Sequence, residues 1–527
     1  MLYQAELWST IASITSNSDY PEAAIESIWK LILFNQFHDI LPGSAIPAVY
    51  EETAPTWQQA QTQAEQLRDH ALEAIAAQID FSQSPQPNAR PIAIFNSLNW
   101  ARSQVVSVPM PEGWSAAAVH DDRGRSIPTQ ISEDSGSSET FVLFCATDLP
   151  SIGYRLFWMS QAASEPKPAV VPGWTLENDR LRVQVSPLTG NLNSVYDKQN
   201  DREILSAPGN QLQAFRDSGQ YWDAWNIDPH YADHPLPPAK TLSTLWIDRG
   251  AVRQRLRVQR RVGSSRLQQD YVLDCDSDTL RIETVADWQE EHTLLKAAFP
   301  LTVESDFVTC EIPFGAIDRP TRPQTPAEAA QWEVPALQWA DLSQSDYGIS
   351  LLNDCKYGYD AQPNQLRLTL LRSPRWPDPN ADRGHHEFCY ALYPHRDRWS
   401  QAQTVQRGYE LNQPPIVHFP RPAAAPTLPP ICEFLNLSAP NLICTAFARS
   451  HTNPQQWILR CYEACGHNAA IALSGQLNLQ IRDRTNLLED AIEADPEQVK
   501  AWEIATLAVR LENAQTQNLA LDRNFFL

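Results

Sequence analysis

The sequence predicts a mainly β fold: an N-terminal helical segment, a helical bundle remnant, followed by antiparallel β-sandwich domains. Three observations carry this. Apolar residues recur at steps of three and four within residues 1–80. Beyond residue 91 the pattern changes to short β-type runs closed by turn signals, with no convincing long helix to about residue 415. The alternation of strand and helix that a βα barrel requires is missing.

Leu7, Trp8, Ile11 and Ile14 follow helical spacing although no capping residue precedes them, so the chain reads as opening inside a helix. A second helix starts near Tyr20, with Pro21 at its first position and Glu22 in its first turn. Ile25, Ile28, Trp29, Ile32, Leu33, Phe37 and Ile40 mark one face. Leu31 and Phe34 make its second half apolar nearly all round, which predicts burial, and Leu41-Pro42-Gly43 stops it. A third helix spans about Pro55 to Ile79, with Trp57, Ala60, Ala64, Leu67, Ala71 and Ile75 on one stripe. The apolar surface of these helices exceeds what they bury against each other and points to a missing partner.

Residues 81–91, rich in Ser, Gln and Pro, read as a linker. Residues 92–419 read as central β-sandwich domains, with runs such as Ile92–Phe95, Gln104–Val108, Leu181–Val185, Arg253–Val262, Thr279–Val285, Ile349–Leu352 and Leu366–Leu371. Residues 420–430 form a Pro-rich linker, and 431–527 a C-terminal β domain containing Gln456–Arg460 and Ile471–Leu473.

Of the 527 residues, 43% are hydrophobic and 20% charged, as in ordinary globular proteins. A net charge of −22 argues against nucleic acid or an anionic membrane as partner. Met1–Glu6 lacks the basic start and apolar core of a secretory signal, and no run approaches a membrane span. Nine scattered cysteines indicate neither a disulfide framework nor a zinc ribbon, so the expectation is reduced thiols in a cytoplasmic protein.

The stretch richest in chemistry is Asn35-Gln36-Phe37-His38-Asp39-Ile40-Leu41-Pro42-Gly43-Ser44. His38 and Asp39 are expected in the last helical turn, and two readings compete. One is a cap: a histidine at the negative helix end and an aspartate bonding the turn. The other is a metal ligand beside a carboxylate that holds substrate. Tyr221-Trp222-Asp223-Ala224-Trp225-Asn226-Ile227-Asp228 alternates aromatics with carboxylates, either a sugar-binding surface or a strand edge whose tryptophans are core. His385, Glu387 and His395 have a spacing too unspecific for a metal site. Cys355, in Asp354–Asp360, lacks the histidine partner of a nucleophile.

The string around His38, continued by Ile46 and Val49-Tyr50, closely resembles the second metal-binding segment of glycoside hydrolase family 38, the α-mannosidases. The resemblance extends through Leu176-Glu177-Asn178, Ser194–Lys198, Tyr221–Trp225, His292–Pro300, Gln338–Ser343, Leu352–Tyr359 and Arg460–Glu463. It implies that His38 binds the catalytic zinc and that Asp39 contacts mannose. Tyr221, Trp222 and Asp223 are then expected near the substrate. The family's barrel, which supplies the nucleophile, the general acid and the other zinc ligands, has no counterpart here, so no catalytic residue is expected in this chain. A retaining glycosidase needs two carboxylates about 5 Å apart, and catalytic zinc needs about three protein ligands. The chain alone is therefore expected to be inactive, and to act as part of a retaining α-mannosidase. Two alternatives remain. One is a split enzyme completed by a separate barrel chain. The other is a non-catalytic carbohydrate-binding protein, in which changing Trp222 and Trp225 abolishes mannoside binding. The family commonly forms oligomers, so a homo-oligomer is also expected.

Overall fold

A computed structural model describes residues 1–16, 18–82, 84–133, 139–163, 173–219, 222–421 and 426–512. Three helices open the chain: α1 (Leu2–Thr15), α2 (Glu22–Phe34) and α3 (Pro47–Ala76). Leu2, Ala5, Ile25, Ile28, Ala60 and Ala64 close a small core among them. The remainder of α1 and the end of α3 face elsewhere. Trp8, Ile11, Leu72 and Ile75 enter a larger core shared with the first sandwich and the C-terminal sheet. Trp8 is fully buried there, its ring 5.2 Å from that of Phe95 and its Nε1 donating to Ser97 Oγ at 3.0 Å.

Two helix boundaries differ from expectation. The apolar period continues to Ile40, but α2 ends at Phe34 because Asn35 caps it. Asn35 Nδ2 donates to Leu31 O at 3.0 Å, beside the backbone bond from Asn35 N, and to Thr56 Oγ1 of α3 at 2.7 Å. His38 and Asp39 therefore lie in the turns after the helix, not in its last turn. Helix α3 begins at Pro47, the proline favoured at a first helical position, and Pro55 sits inside it. The predicted burial of the second half of α2 is also overturned. Trp29, Leu33, Phe34 and Phe37 face solvent, Phe34 with 79% of its surface exposed.

In the first sandwich, strands Arg90–Asn96 and Gly153–Gln161 pair antiparallel. Ile92, Ile94, Phe157 and Met159 face the partner sheet of Arg102–Pro109, Thr129–Glu133 and Thr140–Leu149. Their alternates Ala93, Phe95, Tyr154 and Leu156 face α1, α3 and the C-terminal sheet. Burial on both faces explains why these strands are continuously apolar. Ile416–His418 and Ile431–Glu433 return to the same sheet, so both flanks of the Pro-rich stretch are bound to the first sandwich.

The central unit is built on a nine-stranded antiparallel sheet between Lys240 and Arg396, packed against smaller sheets of four and five strands. One large apolar core joins them. A helix absent from the sequence reading, Thr404–Asn412, buries Thr404, Val405 and Gly408; Val405 packs in one cluster with Trp339 and Leu352. The last sheet comprises Leu442–Arg449, Trp457–Glu463, Ile504–Leu511 and Leu479–Thr485. The fold is mostly β behind a helical N-terminus, as the sequence predicts. Among the described residues no helix is long and apolar enough to cross a membrane.

Candidate functional site at the His38 turn

The turn after α2 is held by its own backbone. Ser44 N donates to Asp39 O at 3.2 Å, and Tyr50, from the first turn of α3, donates its hydroxyl to the same oxygen at 3.2 Å. Ala45 N donates to the Tyr50 hydroxyl at 2.9 Å. Both side chains are left outside. The His38 imidazole is 77% exposed, lies against the Phe37 ring at 4.3 Å, and has its Nε2 3.6 Å from Asp39 Oδ2. The arrangement is an imidazole and a carboxylate side by side on a fixed turn, facing open space. The backbone of Asp39 serves the turn while its carboxylate is not consumed by capping.

Burial raises the Tyr50 phenol above its ordinary range, and the charges of Asp39 and of Asp378 and Asp382 in the 374–384 loop add to the rise. That loop is joined to the aromatic stretch found in the sequence. Ala224 N donates to Trp376 O at 3.1 Å, and Arg375 N donates to Asp223 Oδ2 at 2.6 Å. Asp223 is turned inward, 3.8 Å from Arg372 Nη2 and 3.7 Å from His292 Nδ1, so its charge serves the join between loops. Trp222, Trp225 and Trp376 point outward, 59%, 62% and 52% exposed. Their tryptophans are neither core nor part of a strand edge. Tyr221 lies outside the described residues. Trp376 escaped the sequence reading, although Arg375-Trp376-Pro377-Asp378 repeats the tryptophan–carboxylate texture that marked the first loop.

Beneath the loops sits a buried ionic cluster on the five-stranded sheet. Lys296 is wholly buried between Glu333 and Asp360, with Nζ 2.7 Å from Asp360 Oδ2. Burial alone would lower its ammonium, but the two carboxylates outweigh this and hold it above the ordinary value. Arg367 bonds Asp360 at 2.7 Å and the Tyr231 hydroxyl at 2.9 Å, tying the end of the aromatic loop to the sheet.

The other polar clusters are structural. His385 and Glu387 pair at 2.8 Å on the surface, while His395 is buried against Asp341 at 2.8 Å, so the two histidines do not converge. Desolvation and the Asp354 carboxylate push the Cys355 thiol up to about 12, which removes it as a nucleophile. All nine cysteines are free thiols.

Comparison with known proteins decides the family. Residues 1–75 match the α-mannosidase middle domain, 176–380 the glycosyl hydrolases family 38 C-terminal domain, and 441–507 the family 38 C-terminal β-sandwich domain. The chain belongs to glycosyl hydrolase family 38. It is similar to human α-mannosidase 2C1, with 32% identity across 93% of this chain and 45% of that protein. It also resembles a Saccharomyces cerevisiae α-mannosidase at 26% identity, covering 89% of this chain and 40% of the relative. The chain thus spans less than half the length of these family 38 relatives. The crystal structure of an α-mannosidase from Enterococcus faecalis V583 shares its fold, with a TM-score of 0.81 and 16% identity over 96% of this chain and 66% of that one.

Family 38 implies zinc, and the donor set tests it. Among the described residues no three His, Cys, Asp or Glu side chains converge on one point. His38 is a single available nitrogen. The described residues do not by themselves form a zinc centre, which needs about three protein ligands.

Proposed function

We propose that this chain is the middle and C-terminal portion of a retaining α-mannosidase that hydrolyses α-D-mannosides, working with a nucleophile, a general acid and further zinc ligands outside these 527 residues. The observation that carries the reading is the His38 turn. Ser44 N and the Tyr50 hydroxyl both donate to the Asp39 carbonyl, and the His38 imidazole and Asp39 carboxylate face outward. His38 supplies one zinc-ligating nitrogen, and Asp39 accepts a hydrogen bond from a mannose hydroxyl. The apolar surface of Trp29, Leu33, Phe34 and Phe37 beside the turn suits the packing of a catalytic barrel, in the same polypeptide or a separate one. A cytoplasmic location is part of this proposal.

The test is His38→Ala in the assembled enzyme. Zinc content and α-mannoside hydrolysis should fall together, while far-UV circular dichroism stays unchanged. Full zinc occupancy in the variant would overturn the assignment. Hydrolysis by the 527-residue chain alone would overturn the division of the active site.

A further inference from the structure

A cavity of about 1340 Å³ lies where the first sandwich, the central unit and the Thr404–Asn412 helix meet. Much of the positive charge in its wall is already neutralised. Arg253 and Arg281 both bond Asp274, at 2.6 and 2.7 Å. Arg407 bonds Glu410 at 2.6 Å and Asp278 at 2.9 Å. Arg102 differs. It is 6% exposed, and its Nη1 donates to the uncharged Gln104 Oε1 at 3.2 Å. Its Nε and Nη2 are buried and have no hydrogen-bond partner among the described residues. Glu410 is turned instead to Arg407 and to Trp100 Nε1, which donates to it at 2.9 Å. Burial pushes the Arg102 guanidinium down to about 10, against a smaller upward pull from Glu410, so it stays charged at neutral pH.

The backbone explains the placement. Arg102 opens the strand Arg102–Pro109, whose ladder to Thr140–Leu149 slips by one residue between Arg102 and Gln104. A bulge of this kind re-aims side chains, and here Arg102 becomes part of the cavity wall. Nε and Nη2 are the two donors of one edge of the guanidinium fork. That edge takes two oxygens of a carboxylate or phosphate in parallel. A buried charge without a counterion is costly, and an oxyanion on this edge removes the cost.

We propose that the cavity binds a small hydroxylated molecule carrying one oxyanion group, a phosphate monoester or a carboxylate, held by Arg102 Nε and Nη2. The space suits a ligand of sugar size. Asp276 and Glu283 in the wall accept bonds from hydroxyls and repel a polyanion. The site shares no residue with the His38 turn, so it stands or falls separately from the hydrolytic reading.

Thermal unfolding of the 527-residue chain, in buffer free of phosphate and carboxylate, tests this. Glucose 6-phosphate, glucuronate and glucose present one ring with a phosphate, a carboxylate and no anion. At about 10 mM, enough to fill a millimolar site, at least one of the two anions should raise the melting midpoint above that in sodium chloride of equal ionic strength. Glucose should not. A response to one anion alone names the ligand's group, and a response to both shows that the fork takes either. In isothermal titration Arg102→Met should weaken the responding ligand about tenfold or more. Arg102→Lys keeps the charge, loses the fork and should also weaken it. Arg322→Gln, in an exposed pair with Glu304 and Asp306, should leave binding unchanged. Without ligand, Arg102→Met should melt no lower than the parent, because it fills similar space and removes an uncompensated charge. No shift with either anion, equal binding by parent and Arg102→Met, or an Arg102→Met chain that fails to fold would each overturn the site.

Discussion

Glu311 offers a sharp test of how the central unit meets the C-terminal sheet. It lies on Phe307–Ile312, is buried, and accepts a hydrogen bond from Gln338 N at 2.6 Å. Its charge is felt by Tyr409 of the Thr404–Asn412 helix and by Tyr462 of the C-terminal sheet, so three parts of the fold surround it. Burial pushes its carboxyl from 4.5 up to about 7. At about 1.4 kcal/mol for each tenfold change in acidity, that rise is worth about 3 kcal/mol. The folded chain holds the proton more tightly, so this stability is fully present below about pH 4.5 and is lost as pH rises through about 7. Glu311→Gln keeps an acceptor for Gln338 N and removes the titration. Urea unfolding followed by tryptophan emission should therefore show parent and variant similar near pH 5. The variant should become more stable by about 3 kcal/mol at pH 8. A difference between the two proteins that does not change with pH would refute the reasoning.

Three further outcomes follow from the packing. Trp8→Ala should cost about 3–5 kcal/mol and shift the near-UV circular dichroism, because the cavity opens where helices and two sheets share a core; a loss below about 1 kcal/mol would contradict that shared core. Lys296→Met should cost about 3–5 kcal/mol in urea unfolding by leaving Glu333 and Asp360 buried without their cation. Leu33→Ser with Phe34→Ser should alter stability by about 0.5 kcal/mol or less and reduce self-association in sedimentation velocity, since both side chains already face solvent.

Much of the fold was legible from periodicity alone. Arg253–Val262 and Leu181–Val185 match observed strands to the residue, because hairpin strands with one face in the core carry period two strongly. The misreadings share a cause: side chains that override the pattern. Asn35 ends α2 by bonding Thr56 on another helix, a partner that spacing within α2 cannot reveal. Pro55 looked like a helix start, yet Pro47 holds that position. The Thr404–Asn412 helix carries its buried residues on a short stripe of Thr404, Val405 and Gly408, too weakly apolar to register. For the site, the His38–Asp39 pair was visible as a string. Its exposure was not, and Trp376 joins the aromatic loop only through contacts separated by some 150 residues.

The shared core around Trp8 also sets a schedule. Thr10 of α1 donates its hydroxyl to the Phe447 carbonyl at 2.9 Å, across 437 residues of sequence. A ribosome adding about 5–20 residues per second takes roughly 20–90 s to cover that distance. For that interval the inner face of α1 has been made but its C-terminal partner has not. The packing of α1 is therefore completed only once the strand that carries Phe447 has been made.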